Sequence, residues 1–369
     1  MPASDPARPW LLAAAAHGLG GAVPAVTAPD AALWSAVLAG AVRERLVPLL
    51  GRLCDEAPVS LGADQRAQLA SEETRTAVRM LHLEAHLVRL AGVLDEARVP
   101  FRVLKGAALA TLDYERPGDR SWNDLDLLVR SADFDRTVGL LTAQGCRRLF
   151  PEPRPGFDRR FGKGAPLLAP EGFEVDLHRT WLAGPYAHLV DIDAVLGRSE
   201  PVPLAGRTVP ALTREDRLLH VCFHAVVAEV TPRLLPLRDV LELVRRPLDV
   251  GVVRDRAREW HAEAVLSTAV MTARATLGVP GTSDLEEDLR RRPPGRKGRW
   301  ATRGYTGGNY VVEMATAVAA VRGVRPRLAY LRALTFPQRS YLQGRHESRS
   351  RRLVYAVRSL WRWGGGVRT

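Results

Sequence analysis

The 369-residue sequence predicts an α+β protein, a small mixed β-sheet core with helical segments at its N- and C-terminal sides. Three observations carry this reading. Apolar residues recur at helical spacing through residues 29–99. From Phe101 to His178, short strand patterns interleave with helix patterns. After Thr213 the helical spacing returns. The chain therefore divides into a helical N-terminal segment (1–99), a sheet core (100–210), a helical bundle (211–289) and a basic linker with C-terminal helices (290–369).

In the first segment, Ala31–Leu53 reads as one helix. Thr74–Val99 reads as a second, with Leu81, Leu83, Leu87, Leu90 and Leu94 at helical spacing, and Pro100 stops it. Phe101–Leu104 is a short strand, followed by Lys105-Gly106, a helix over Ala107–Leu112 and a turn over Arg116–Asp119. Asp124–Val129 is a strand, and Ala132–Gln144 a helix closed by Gly145. Two further strands are expected at Ala165–Leu168 and Phe173–His178. Thr213 suits an N-cap, with Glu215 and Asp216 in the first turn. Helices are expected over Leu218–Ala228, Leu234–Val244, Val252–Leu277 and Arg349–Trp363, the last mixing arginines with Trp361 and Trp363.

Hydrophobic residues make up 46% and charged residues 25%, enough for a packed core. The net charge of +12 is unevenly spread. Residues 281–369 hold 19 Lys+Arg against 6 Asp+Glu, so the basicity belongs to the C-terminal segment. Such a segment suits an acidic partner, a membrane surface or nucleic acid. Only Lys105, Lys163 and Lys297 are lysines, which singles each one out. Cys54, Cys146 and Cys222 are far apart and in no metal spacing, as expected of reduced thiols in the cytoplasm. The apolar stretch Trp10–Val26 is interrupted by His17, Gly18, Gly20, Gly21 and Pro24, and reads as neither signal peptide nor membrane span. A soluble protein is expected.

The chemistry centres on Asn123-Asp-Leu-Asp-Leu-Leu-Val129. Side chains alternate faces along a strand, so Asp124 and Asp126 share one face about 7 Å apart while Leu125 and Leu127 pack on the other. Paired carboxylates repel unless a cation sits between them. Mg²⁺ (or Mn²⁺) takes carboxylate and triphosphate oxygens, and so resolves the conflict. Asp176, in Phe173–His178, supplies a third carboxylate from a second strand, and Glu174 shares its face. Three converging acids can hold two metal ions. Lys105-Gly106 lies between a strand and a helix start, where backbone amides and an ammonium suit phosphate. His178 shares the face of Asp176, and Arg120 reads equally as a triphosphate contact or a surface charge. His220 and His224 share a helical face, but no third ligand supports zinc. His224 is read instead as a core histidine or a substrate contact, and Asp239 as a structural acid or a further contact.

Leu104-Lys-Gly106, Arg120 with Asp124-Leu-Asp-Leu-Leu-Val129, Val175-Asp-Leu-His178, Leu218–His224 and Asp239 together resemble a bacterial family of largely uncharacterised nucleotidyltransferases with a Leu-Lys-Gly turn. That family lies within the superfamily that includes DNA polymerase beta. The resemblance covers roughly residues 30–245. It implies a nucleotidyltransferase core, an NTP co-substrate (ATP expected) and a divalent metal on Asp124, Asp126 and Asp176. It further implies phosphates on Lys105, Gly106 and Arg120, and possible substrate contacts at His178, His224 and Asp239. The acceptor expected is a hydroxyl on a small molecule, peptide or protein, with tailoring of ribosomal peptides as one use. The turn departs from the superfamily pattern, with Lys-Gly-Ala where many relatives have Gly-Ser or Gly-Gly. The alternative is a catalytically inactive protein on the same fold that binds nucleotide or nucleic acid.

Overall fold

The computed structural model describes residues 5–21, 26–57, 59–227, 232–280, 283–296, 302 and 316–345. Their elements run α1 (Arg8–Ala16), α2 (Ala31–Glu44), α3 (Val47–Glu56), α4 (Ala63–Glu96), β1 (Phe101–Val103), α5 (Lys105–Leu112), β2 (Asp124–Val129), α6 (Phe134–Ala143), β3 (Arg147–Arg148) and α7 (Phe157–Arg160). The chain continues through β4 (Gly164–Leu168), β5 (Glu174–His178), α8 (Ile192–Leu196), β6 (Glu200–Leu204), β7 (Arg207–Ala211), α9 (Arg214–Val226), α10 (Leu234–Val244), α11 (Val250–Glu259), α12 (Glu263–Leu277) and α13 (Asp284–Arg291). Two more helices span Val324–Thr335 and Arg339–Arg345.

One seven-stranded mixed sheet, in the order β3-β4-β5-β2-β1-β7-β6, forms the centre of an α+β fold. β2 runs parallel to β5 and antiparallel to β1, while β1 runs parallel to β7. Leu125, Leu127, Val175 and Leu177 share a core with Leu83, Leu87, Leu90 and Leu94 of α4, so one face of the sheet is sealed by that helix. Leu81, expected on the apolar stripe, is 65% exposed.

Four strands were legible from the alternation of side chains; β3, β6 and β7 were not. β6 and β7 form a hairpin around Ala205 and Gly206, both at positive φ (43° and 76°), as a two-residue primed turn requires. Proline at 201, 203 and 210 hid this hairpin from a propensity reading. β6 is an edge strand carrying Pro201 and Pro203 exposed, and the opposite edge is the two-residue β3.

Two expected helices are each broken. Ala31–Leu53 is interrupted where Arg45 turns left-handed (φ 61°) and caps α2, before α3 restarts with Pro48 in its first turn. Val252–Leu277 is split into α11 and α12 at His261 (φ 56°). Helical periodicity survives both breaks because the two halves bury the same side. Helices α1, α9, α10 and α12 pack around a second core that runs from Trp10 and Trp34 to Trp260 and Val265. Tyr330, on the helix Val324–Thr335, stacks on Phe157 of α7 and meets Phe161 edge-on. The expected Arg349–Trp363 helix and Lys297 lie outside the described residues. Among the described residues, no helix is long and apolar enough to cross a membrane.

Candidate active site

Parallel pairing of β2 with β5 aligns Asp126 with Asp176, Asp124 with Glu174 and Leu128 with His178. Since the leucines and valine between them face the α4 core, the carboxylates emerge together on the opposite face. The Asp126 side chain is 1% exposed. Its Oδ1 accepts from His178 Nε2 at 2.8 Å and lies 3.1 Å from the Lys105 ammonium. Asp176 is more open, with Oδ2 3.6 Å from Lys163 Nζ and 3.7 Å from His178 Nε2. Asp124 Oδ1 lies 3.6 Å from Arg45 Nη1, at the left-handed cap of α2.

Donor atoms of Asp126, Asp176 and His178 all lie within 4.8 Å of one another. Two carboxylate oxygens and an imidazole nitrogen suit a divalent cation, and the nitrogen makes Mn²⁺ as good a fit as Mg²⁺. Asp124, expected as a ligand, stands beside this trio and faces Arg45. Among the described residues, the buried Nδ1 of His178 has no hydrogen-bond partner.

The turn that delivers Lys105 is strained. Lys105 has φ 23°, and Gly106 follows with φ 35° and ψ −118°, a geometry costly for any residue with a Cβ. Leu104 N–H donates to the Asp126 carbonyl at 3.0 Å and ties the turn to β2. The Lys105 ammonium is thereby set on Asp126 rather than pointing outward from the helix start.

Burial alone would raise the Asp126 carboxyl, but Lys105, His178 and Lys163 outweigh it and hold the group well below its ordinary range. Conversely, burial would lower Lys105, but Asp126, Asp124 and Asp176 keep its value raised. Glu174 is pushed up by burial and by Asp176, Asp124 and Asp126. His220 and His224 are driven well down, by burial first and then by the Lys105 charge, so both rings are neutral beside the site. His220 also meets Trp181 edge-on at 5.4 Å. Among the described residues neither histidine joins a metal-binding group.

Arg120 and Asp239 are not brought into this cluster as ligands; they pair with each other. Arg120 donates through Nε and Nη2 to the two Asp239 oxygens at 3.1 and 2.8 Å, and Tyr114 Oη donates to the same carboxylate at 2.7 Å. Both side chains are at most 4% exposed. The fork expected to reach a triphosphate instead clamps the approach to β2 onto α10. Arg238, next to Asp239 in the chain, bonds Glu242 and the carbonyls of Ala15 and His17. Successive helical residues point about 100° apart, which separates the two neighbours.

Arg45, Lys163 and His220 are neighbours of the site that the motif reading did not select. The scarcity of lysine was a signal for Lys163; nothing in the sequence marked Arg45. Beside Asp176, His178 and Lys163 opens a cavity of about 450 Å³, walled by Phe150, Pro151, Pro153, Phe157, Tyr330 and Tyr341 among others.

No curated protein matches the chain. Two solved structures show weak likeness. An antigenic nucleotidyltransferase-like protein from Paracoccidioides brasiliensis is 16% identical, with a TM-score of 0.35, over 53% of this chain and 92% of that one. The antibiotic-resistance factor ANT(2'')-Ia is 15% identical, with a TM-score of 0.34, over 53% of this chain and 96% of that one. A family described as uncharacterised nucleotidyltransferases matches residues 30–278, a span that includes β1, β2, β5 and the whole acidic cluster. With that match over most of its length, the chain belongs to this nucleotidyltransferase family.

Proposed function

We propose that the protein transfers a nucleoside monophosphate from an NTP, with ATP the expected nucleotide, to an acceptor hydroxyl. The convergence of Asp126, Asp176 and His178 on one face of the sheet carries this reading. The acceptor oxygen attacks the α-phosphorus, the bond to the β-phosphate bridging oxygen breaks, and pyrophosphate leaves. The hydroxyl proton passes to a carboxylate, for which Asp176 is placed as the most open of the trio. Asp126 and Asp176, with His178, would hold the divalent cation, Mg²⁺ or Mn²⁺, and Asp124 stands at hand on the same strand face. When bound, that ion neutralises triphosphate charge. Gly106 opens the backbone toward the phosphates, and Lys105 is the nearest cation for them once an ion takes its place on Asp126. Positioning and charge neutralisation suffice for this class of displacement, which suits so short a set of groups. The acceptor is a small molecule, peptide or protein, with ribosomal-peptide tailoring a use consistent with a peptide acceptor.

Calorimetric titration with each NTP in Mg²⁺ or Mn²⁺ tests the reading, on the wild type and on Asp124→Asn/Asp126→Asn. Metal-dependent binding that disappears in the variant supports it. A folded wild type that binds no NTP under either metal would sink it.

A further inference from the structure

A second cavity, of about 490 Å³, adjoins the 450 Å³ chamber, and Phe157 and Phe161 border both. Its charged lining is Arg154, Arg160, Arg325 and Arg332, with no acidic residue. Arg325, Leu328, Ala329, Arg332 and Ala333 follow the i, i+3, i+4, i+7, i+8 pattern of a single helical face, so the wall is one side of the helix Val324–Thr335. Arg325 and Arg332 are exposed and have no acidic partner among the described residues. Arg160 rests its guanidinium on the Phe161 ring at 4.9 Å, and Arg154 donates its Nε to the Phe336 carbonyl, with no acidic partner for either among the described residues. Like charges gathered around one groove without counter-ions are stabilised by an anionic ligand. The chamber that shares Phe157 and Phe161 with this groove is lined by Lys163 and Asp176, which lie 3.6 Å apart.

Resting on the transfer reading above, we infer that this groove binds an acidic stretch of a polypeptide acceptor. The hydroxyl-bearing residue of that polypeptide enters the chamber beside Asp176. The two cavities differ in a way that decides between a polypeptide and a nucleic-acid strand. A strand end keeps its charge close to the terminal hydroxyl, because every nucleotide carries a phosphate. The chamber suits that poorly, since its wall sets three carboxylates, Glu174, Asp176 and Asp158, against Lys163 and His178, and its apolar part includes three prolines and five aromatic side chains. A polypeptide separates the two requirements. Apolar side chains around the hydroxyl fill the chamber, and carboxylates reach the arginines further along. Because Phe157 and Phe161 border both cavities, the acidic positions lie within a few residues of the hydroxyl.

The test uses the full chain and three fluorescent probes. One is a peptide with Leu-Ser-Phe followed by a Glu-rich stretch; the second has Lys for every Glu; the third is a single-stranded RNA of equal negative charge. Anisotropy is measured with the wild type and with Arg325→Glu/Arg332→Glu, and NTP-metal binding is followed separately by calorimetry. The inference expects the acidic peptide to bind at least tenfold tighter than the lysine peptide and than the RNA. It expects the charge reversal to weaken that peptide at least tenfold while NTP binding is unchanged. Equal affinity for the two peptides, tighter binding of the RNA, or indifference to the reversal overturns it. Absence of NTP binding in the wild type with peptide binding intact would instead strike the transfer reading and the polypeptide's role as acceptor, and leave the groove's acidic ligand standing.

Discussion

Asp126 and Asp176 are register partners across parallel strands, yet the first side chain is 1% exposed and the second 28%. The two carboxylates thus do different work for stability and the same work for the cation. Asp126→Asn leaves the Lys105 ammonium without its counter-charge in a dry setting, and should cost about 2–3 kcal/mol. Asp176→Asn, whose contacts are longer and wetter, should cost under about 1 kcal/mol. Both should weaken Mn²⁺ binding at least tenfold. Urea denaturation combined with Mn²⁺ titration by electron paramagnetic resonance checks the split. Equal stability losses would show that burial does not separate the two roles.

Lys105 and His178 share one oxygen of Asp126. An ion approaching that oxygen must compete with the ammonium. Lys105→Met should therefore tighten Mn²⁺ binding several-fold in the absence of nucleotide, and weaken NTP binding in its presence. Unchanged Mn²⁺ affinity in the variant would mean that the ammonium does not stand in the ion's way.

The Arg120–Asp239 clamp belongs to the fold. Arg120→Met should destabilise by about 3–5 kcal/mol, because it strands a buried carboxylate that Tyr114 alone cannot satisfy. Adding Asp239→Leu should recover part of that loss. NTP affinity of whatever variant remains folded at low temperature should stay within about threefold of wild type. A full loss of NTP binding with stability intact would return Arg120 to the nucleotide.

His188 is lowered to about 4, by burial first and then by Arg179, and His220 and His224 are also lowered, by burial first and then by Lys105. In each case the unfolded ring, near 6.5, takes up its proton before the folded one. Stability is full above pH about 6.5 and declines as pH falls toward 4, where His188 protonates in the fold as well. His188→Gln should make the decline shallower by roughly 1 kcal/mol, allowing for partial exposure. Denaturant midpoints from pH 7 to 4 measure it.

The site was legible where chemistry and periodicity coincide. Asp124–Val129 and Val175–His178 announce themselves because acids alternate with aliphatics, and the register between the two strands then follows from the core they share. Arg45 was hidden because its role comes from a helix break, which an uninterrupted apolar stripe conceals. Arg120 was hard to place for a related reason. A guanidinium next to an acidic strand looks like a phosphate ligand unless Asp239, more than a hundred residues away, is known to lie beneath it. The β6–β7 hairpin was obscured by its own prolines, which lower strand propensity at positions that an edge tolerates.

Those prolines have one more consequence. Pro201 and Pro203 bring no N–H to the outermost strand, and the far border of the sheet is only Arg147 and Arg148. Neither border can template a further strand, so the sheet is closed to growth by main-chain pairing. The protein should resist edge-to-edge aggregation even at high concentration. Any partner must be met through side chains on helices and loops, because the β-edges offer no adhesive seam.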